Sequence, residues 1–267
     1  MSIFPHRFCV VCAAGLLFLA GSPLAKALIL DWDSVSWTAG SLNNSYDLNG
    51  DAVNDVTVTL TSQNPGVWTN DPTSGTMTPT VNQTMTGGLS PAENSLMLAA
   101  NLHTNSNVTL QLTFTGAQPG ANNVSFTIFD IDITTNSDII SNIYGVAPDG
   151  THVAATITNL GSTVDLTGSG LGQTLTGNAA AANNSSNGNA TISFGSTLIT
   201  DVFFTFGNTA GAPRYQDIGI GDVTFTPVPE INPTAASVVS CLLAVGLTVL
   251  MQRRAKANAN PSGAAKS

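Results

Sequence analysis

Apolar and polar side chains alternate with a period of two along most of the chain between residues 28 and 227. Successive side chains of a β-strand point to opposite faces, so this period gives each segment one apolar face and one polar face. Thr, Asn, Ser and Gly dominate the region, and good helix formers are scarce. The region is therefore predicted to be all-β. The apolar positions of the clearest segments are Val56, Val58 and Leu60; Val108, Leu110, Leu112 and Phe114; Val124, Phe126 and Ile128; and Val202, Phe204 and Phe206.

Turn sequences divide the region into many short strands. We predict a β-sandwich of about ten to twelve strands, of which a jelly roll is one form. Residues 159–189 are low in complexity and are predicted to form a long polar loop or an irregular hairpin. The last strand changes phase at Gly221-Asp222, where a β-bulge is predicted to keep one apolar face continuous. The turns are Asn49-Gly50, Gln118-Pro119-Gly120, Pro148-Asp149-Gly150 and Asn187-Gly188.

The first 27 residues have the organisation of an export signal. Arg7 gives a weakly positive start, and an apolar run follows that is too short to span a bilayer comfortably. Small residues then lead to Ala27, where we predict cleavage by signal peptidase. Residues 1–27 are therefore expected to be a signal peptide in helical form, and residues 28–227 an extracytoplasmic domain.

The C-terminal stretch is predicted to cross a membrane. Residues 231–251 carry no charged side chain. A helix of this length is about 31 Å long, which is close to the hydrocarbon thickness of a bilayer. Arg253, Arg254 and Lys256 follow directly, as expected for the basic flank on the cytoplasmic side. Residues 257–267 would then form a cytoplasmic tail.

The region between these two ends is strongly acidic. Residues 28–227 contain fifteen acidic residues and one basic residue, Arg214, which gives a formal charge of −14. Because nucleic-acid binding depends on Lys and Arg contacts to phosphate, we expect no nucleic-acid partner, whereas cation binding is favoured. The three cysteines, Cys9, Cys12 and Cys241, lie outside this region, so no disulfide and no cysteine-based metal site is expected in it.

One loop has the ligand spacing of a calcium site. Asp47, Asn49, Asp51 and Asp55 place oxygen atoms at relative positions one, three, five and nine, with Gly50 to ease the turn. The pattern resembles the short calcium loops of dockerin and thrombospondin type 3 repeats. Position twelve is Val58, where an EF-hand has a bidentate Glu. Calcium is the one cofactor that this pattern predicts, and the alternative is an Asx-rich hairpin turn without an ion.

A second group of acids is Asp130, Asp132 and Asp138. Asp130 and Asp132 are two apart, so on a strand they would share a face at a separation of about 7 Å. Inverting glycosidases hold their two carboxylates at about this distance. The β-sandwich glycosidases rely on Glu, however, and residues 28–227 contain only Glu93. The favoured alternative is therefore acids at a strand end that face water or calcium, and we predict no enzyme and no catalytic residues.

Several aromatic side chains could form a platform on which sugars stack. Trp32 and Trp37 are five apart, which would place them on opposite faces of a regular strand, so at least one is expected in the core. The full set is Trp32, Trp37, Trp68, Tyr46, Tyr144 and Tyr215.

The order of elements at the C-terminus resembles the PEP-CTERM sorting segment of exported bacterial proteins. Val228-Pro229-Glu230 precedes the uncharged span, and Arg253-Arg254 follows it, so that the segment covers residues 228–256. Ile231 stands where the usual motif has a second proline. The resemblance implies that an exosortase-type membrane protease recognises this motif. The protein, first anchored by its C-terminal helix, would then be released or attached at the cell surface, often in strains that make exopolysaccharide.

Three functions are compatible with these features. The leading hypothesis is an exported cell-surface or extracellular-matrix protein that is structural or adhesive and is sorted through its C-terminus. The alternative is a carbohydrate-binding module that uses calcium and aromatic side chains. The third is a polysaccharide hydrolase that acts through Asp130 and Asp132. The expected partners are signal peptidase, an exosortase-type protease and extracellular polysaccharide.

Overall fold

The computed structural model describes residues 26–64, 66–116, 119–228, 248 and 250–252. Within these residues, sixteen strands form two antiparallel sheets, which confirms the predicted all-β sandwich. Two short 3-10 turns cover Gly170–Gly172 and Ser186–Gly188. The strands are β1 (Leu28–Leu30), β2 (Asn43–Tyr46), β3 (Val56–Ser62), β4 (Thr80–Asn82), β5 (Ser95–Leu102), β6 (Val108–Phe114), β7 (Ala121–Phe129), β8 (Asp138–Val146), β9 (His152–Ala154), β10 (Thr156–Thr158), β11 (Val164–Thr167), β12 (Thr174–Gly177), β13 (Ala190–Ser193), β14 (Asp201–Asn208), β15 (Arg214–Ile220) and β16 (Val223–Pro227).

The first sheet is built around β7. Strand β13 pairs with one side of β7. Strands β15 and β16 pair with its other side, one after the other along its length. Strand β10 extends the sheet beyond β13, β5 and β4 extend it beyond β15, and β1 pairs with β16. From Ile220 to Thr224 the chain advances four residues while β7 advances three, from Ile128 to Ser125. This extra residue is the predicted bulge at Gly221-Asp222.

The second sheet has the strand order β11-β12-β8-β14-β6-β3-β2, and β9 also pairs with β8. Its inward side chains pack against those of the first sheet, and most of them are fully buried. Two ring pairs cross the interface: Phe126 and Phe204 have their centroids 6.1 Å apart, and Phe114 and Phe225 have theirs 5.0 Å apart. Burial of these large rings supplies much of the hydrophobic stabilisation of the sandwich.

The predicted number of strands, ten to twelve, is too low. Eight of the strands are only three or four residues long: β1, β2, β4, β9, β10, β11, β12 and β13. A strand of this length presents one or two inward side chains, so it has no alternation that a sequence pattern could reveal. Two of these short strands, β11 and β12, form a hairpin within residues 159–189, where the sequence predicted a polar loop or an irregular hairpin.

The segment between β3 and β5 covers the outer side of the first sheet. Its first part continues the sheet along the edge of β5, where Trp68 forms a bridge to Ala100 and the Thr78 hydroxyl donates a hydrogen bond to the Ala99 carbonyl at 2.6 Å; its later part lies over the outer face. Under this cover, Met85, Met97 and Ala99 form a small second core. The outward face of β5 is therefore buried, although an alternating pattern alone would place it in water.

The predicted signal peptide, the Pro229-Glu230 pair, most of the 231–251 span and the basic residues Arg253, Arg254 and Lys256 lie outside the described residues. Of the predicted sorting motif, only Val228 is described. Residues 248 and 250–252 are helical, and among the described residues no helix is long and apolar enough to cross a membrane. Export, membrane anchoring and sorting stay predictions.

Candidate functional site

The predicted calcium loop connects β2 and β3, and its carboxylates are held by the loop itself. Asp47 accepts hydrogen bonds from the backbone N–H groups of Gly50 at 2.7 Å and Ala52 at 2.8 Å. Asp55 accepts from the Leu48 N–H at 2.7 Å and from the Asn49 amide at 3.3 Å. These contacts are those of an Asx-rich turn.

No group of three or more His, Cys, Asp or Glu side chains is placed to hold a metal ion in the part of the chain that the structure describes. Calcium binding by Asp47, Asn49, Asp51 and Asp55 stays a prediction.

The sequence predicted that Asp130 and Asp132 would share one face of a strand. The structure does not place them on a strand. Strand β7 ends at Phe129, and Asp130 has a left-handed backbone with φ of 65°. The chain then makes a tight turn and crosses to β8 in the second sheet; in this turn the Asp138 N–H donates to the Asp132 carbonyl at 3.0 Å and the Asp132 N–H donates to the Asp138 carboxylate at 3.2 Å. The turn brings together three acids that are spread over nine residues of sequence.

These acids are buried rather than turned towards water. Asp130, Asp132 and Asp138 are only 7%, 6% and 1% exposed, and one carboxylate oxygen each of Asp130 and Asp138 has no hydrogen-bond partner among the described residues. Asp217 on β15 belongs to the same cluster, because its negative charge acts on both Asp130 and Asp138. Side chains this deeply buried are out of reach of a polymer, so they are poorly placed for the hydrolase that formed the third hypothesis.

Burial raises the pKa of all four carboxyl groups in this cluster. Desolvation, with the charges of Asp132 and Asp217 adding to it, raises the pKa of Asp130 to about 8. Desolvation also raises the pKa of Asp217 to about 6, against the hydrogen bond that the Tyr215 hydroxyl donates to it. The pKa values of Asp132 and Asp138 are raised as well, chiefly by burial. Burial and the mutual repulsion of these acids therefore oppose ionisation of the cluster.

Most of the predicted aromatic platform is in the core. Trp32 is 1% exposed, and its ring packs edge-on against Trp37 at 6.2 Å and against Tyr46 at 6.5 Å. Trp32 and Trp37 are therefore in contact rather than on opposite faces, because they lie in irregular chain and not on a strand. Trp68 packs on the core as well. Of the six predicted aromatics, Tyr144 and Tyr215 stand on the outer faces of the sheets.

Tyr144 belongs to a row of outward side chains that crosses the second sheet. The strand register places Phe203 beside Tyr144, Gln111 beside Phe203 and Thr59 beside Gln111. Ala154 and Asn43 complete the row at its two ends. Six strands at a spacing of about 4.8 Å give this Tyr144 row a length of about 24 Å. One end of the row is aromatic and the other carries amides and hydroxyls.

Three rings stack at the aromatic end. The centroid of Tyr144 lies 5.2 Å from that of Phe203 and 4.3 Å from that of His152, with interplanar angles of 24° and 22°. Tyr144 and Phe203 are partly exposed and His152 is exposed. A cavity of about 400 Å³ lies beside the stack. Its lining adds to these rings the side chains of Thr109, Asn142, Leu171 and Thr205.

A polar group borders the rings on the same face. Gln111 donates to Asp201 at 2.9 Å, and the Thr113 hydroxyl donates to the same oxygen at 2.7 Å. The Asn142 amide donates to the Thr205 hydroxyl at 3.3 Å. These bonds orient the polar side chains before any ligand arrives.

Sequence reasoning found Tyr144 but missed Phe203 and His152. Phe203 alternates with the core positions Val202 and Phe204, so the sequence places it on the outer face of its strand. A phenylalanine on an outer face is an indication of a binding surface.

The chain matches no protein-family model and no curated protein. Among solved structures, it is similar to a family 11 carbohydrate-binding module from Clostridium thermocellum in complex with a β-1,3-1,4-mixed-linked tetrasaccharide, with a TM-score of 0.33 and 10% identity over 78% of this chain and 99% of that one. It is also similar to the family 11 carbohydrate-binding module of a cellulosomal cellulase of the same organism, with a TM-score of 0.31 and 8% identity over 79% of this chain and 99% of that one. Similarity at this level carries no inference about ligands, so function has to follow from the chain's own residues.

Proposed function

We propose that this domain binds carbohydrate on the outer face of its second sheet, without catalysis, as the outer part of an exported cell-surface or matrix protein. The observation that carries the proposal is the 400 Å³ cavity beside the stack of Tyr144, Phe203 and His152. It combines partly exposed rings with hydroxyl and amide groups, and no Lys or Arg lines it.

That combination matches the surface of a sugar. A pyranose ring presents C–H groups that pack against aromatic carbon, while its hydroxyls donate and accept hydrogen bonds around the edge. Thr109, Asn142 and Thr205 provide both donors and acceptors beside the rings. The Tyr144 row continues for about 24 Å across the sheet, so a chain of several sugar units could lie along it.

The charge of the domain narrows the class of glycan. The Tyr144 row contains no charged side chain, and the acid Asp201 stands in the next row. An acidic polysaccharide would be repelled by a domain with a formal charge of −14, so we expect neutral glycans to bind on this face. Binding of a glycan is also a direct way for a structural protein to adhere to a matrix.

Removing either ring should weaken this binding. We expect Tyr144→Ala and Phe203→Ala each to raise the Kd for a neutral polysaccharide or its oligosaccharides about tenfold, since a stacked aromatic contact contributes about 1 kcal/mol or more. Isothermal titration calorimetry of the purified protein with a panel of neutral glycans measures this.

Tyr215→Ala is the matched control, because Tyr215 is a surface tyrosine on the first sheet. It should bind as the unchanged protein does. The proposal fails if no glycan in the panel binds, or if binding survives both ring substitutions.

Export and sorting are the second part of the proposal. We expect the mature protein to begin at Leu28, the first residue of β1, and to end near Glu230. Intact-mass spectrometry of protein recovered from the producing cells and from their medium measures both ends. A chain that still runs from Met1 to Ser267 would contradict both the export signal and the sorting cleavage.

A further inference from the structure

A larger cleft, of about 720 Å³, lies on the outer side of the first sheet. Its floor is formed by outward side chains of β7, β13 and β16, among them Thr127, Thr191 and Thr224. Leu89 and Glu93 border it, together with residues of the 159–162 and 186–189 segments. It is separate from the Tyr144 row, which lies on the other sheet.

The borders of this cleft are held in place by backbone hydrogen bonds. The Gly161 N–H donates to the Asn189 carbonyl at 2.8 Å, and the Thr163 N–H donates to the Asn187 carbonyl at 3.0 Å. A side chain at Gly161 would collide with the Asn187 carbonyl, so this close approach requires glycine. The cleft is therefore built into the fold rather than left by a loose loop.

The lining offers hydrogen-bonding groups and apolar contact together. The Thr127 and Thr191 hydroxyls lie 3.0 Å apart on the floor. The Asn189 amide donates a hydrogen bond to the Gly87 carbonyl at 2.9 Å, which fixes this side chain at the border of the cleft. Leu89 and Leu160, which are 44% and 41% exposed, add apolar surface. Hydroxyls and exposed leucines together suit a sugar ring.

The charged groups of the cleft are all negative. Glu93 and Asp222 line it, and no basic residue does. One Asp222 oxygen accepts from the Trp32 N–H at 3.1 Å, while Glu93 is partly exposed and its carboxylate makes no hydrogen bond within the described part of the chain. Burial raises the pKa of Asp222, and the negative charges of Asp31, Glu93 and Asp33 add to this shift. The negative potential at this end of the cleft is therefore not neutralised by the protein.

We propose that the cleft binds an amino sugar, with its hydroxyls on the threonine floor and its ammonium group at the end formed by Glu93 and Asp222. The two carboxylates call for a cationic group, and the threonine hydroxyls call for a ring that carries hydroxyl groups. An amino sugar has both, because its ammonium group is attached to a polyhydroxylated ring. The site is independent of the Tyr144 row, so the domain can hold a cationic glycan on one sheet and a neutral glycan on the other.

Calorimetry with matched oligosaccharides tests this site. The probes are a tetramer of β-1,4-linked glucosamine, its N-acetylated form and a glucose tetramer of the same linkage. We expect the glucosamine tetramer to bind most tightly, and Glu93→Gln to weaken it about fivefold, as loss of one partly exposed charge pair would. The difference in affinity between the glucosamine tetramer and the two neutral tetramers should become smaller at about 1 M salt, because salt screens the attraction between exposed charges.

Two variants separate this site from the Tyr144 row and from general charge effects. Asp165→Asn removes one negative charge from exposed β11 on the other sheet and should leave glucosamine binding unchanged. The Glu93→Gln effect should persist in a Tyr144→Ala background, in which the Tyr144 row no longer contributes to oligosaccharide binding. The amino-sugar site is refuted if the glucose tetramer competes equally in the cleft, if Glu93→Gln has no effect, or if Asp165→Asn weakens binding as much.

Discussion

The domain should be less stable at about pH 8 than at about pH 5, by on the order of 4 kcal/mol in its free energy of unfolding. The cause is the buried cluster of Asp130, Asp132, Asp138 and Asp217. Asp130 titrates at a pKa of about 8 in the folded domain, because burial and the charges of Asp132 and Asp217 oppose its ionisation. In the unfolded chain an Asp titrates near its ordinary value of about 3.9.

The direction follows from these two values. Between about pH 4 and pH 8 the unfolded chain releases the Asp130 proton and the folded domain retains it. The folded state then binds more protons than the unfolded state, so stability is fully present below about pH 4 and falls as the pH rises to about 8. Asp217, with a pKa of about 6, changes stability in the same direction over the lower part of this range.

Urea unfolding at a series of pH values, in EDTA so that no cation neutralises the acids, measures the effect. Asp130→Asn cannot ionise at this position and should reduce the slope by the Asp130 contribution, whereas Asp165→Asn, at an exposed strand position, should keep the full slope. A stability that stays constant or rises from about pH 5 to pH 8 in the unchanged protein would show that the cluster is not held neutral.

Phe204→Ala should destabilise the domain by about 3–5 kcal/mol, the range found for a buried phenylalanine replaced by alanine. Phe204 is fully buried on β14 and stacks on Phe126 of the opposite sheet at 6.1 Å. Its loss leaves a cavity between two sheets that strand pairing holds apart, so the site cannot collapse fully. Urea unfolding at constant pH measures the change.

Phe203→Ala is the matched control for this prediction. Phe203 is the preceding residue on the same strand and points to the outer face, where it is partly exposed. Its replacement should cost far less stability while it weakens glycan binding. Equal destabilisation by the two substitutions would mean that the inward and outward faces of β14 are assigned wrongly.

The long strands and their faces could be predicted from the sequence, because each has enough residues to show its period. Val56, Val58 and Leu60 on β3 and the Val202-Phe204-Phe206 series on β14 are all buried as expected. The bulge at Gly221-Asp222 was predictable for the same reason, since a change of phase is visible inside one continuous apolar segment.

The candidate sites depend on contacts between distant residues and could be predicted only in part. Asp217 alternates with Ile218 and so should face water, but β15 pairs with β5 at Ala99, and on that face Met85 from the segment between β3 and β5 packs against Ala99. Likewise, Tyr144 meets Phe203 only through the β8–β14 register. The local sequence pattern of a strand does not show which distant segment covers its outer face or which residue of another strand pairs with it.

The pairing of β1 with β16 also has a mechanical consequence. Leu28 lies opposite Phe225, so the chain enters and leaves the sandwich at the same end of neighbouring strands. A tension applied through Val228 acts along β16, which is hydrogen-bonded to β1 on one side and to β7 on the other. Its hydrogen bonds are then loaded together in shear rather than broken one after another. A domain held by its C-terminus at a cell surface would resist a pull from a bound matrix through both of these ladders at once.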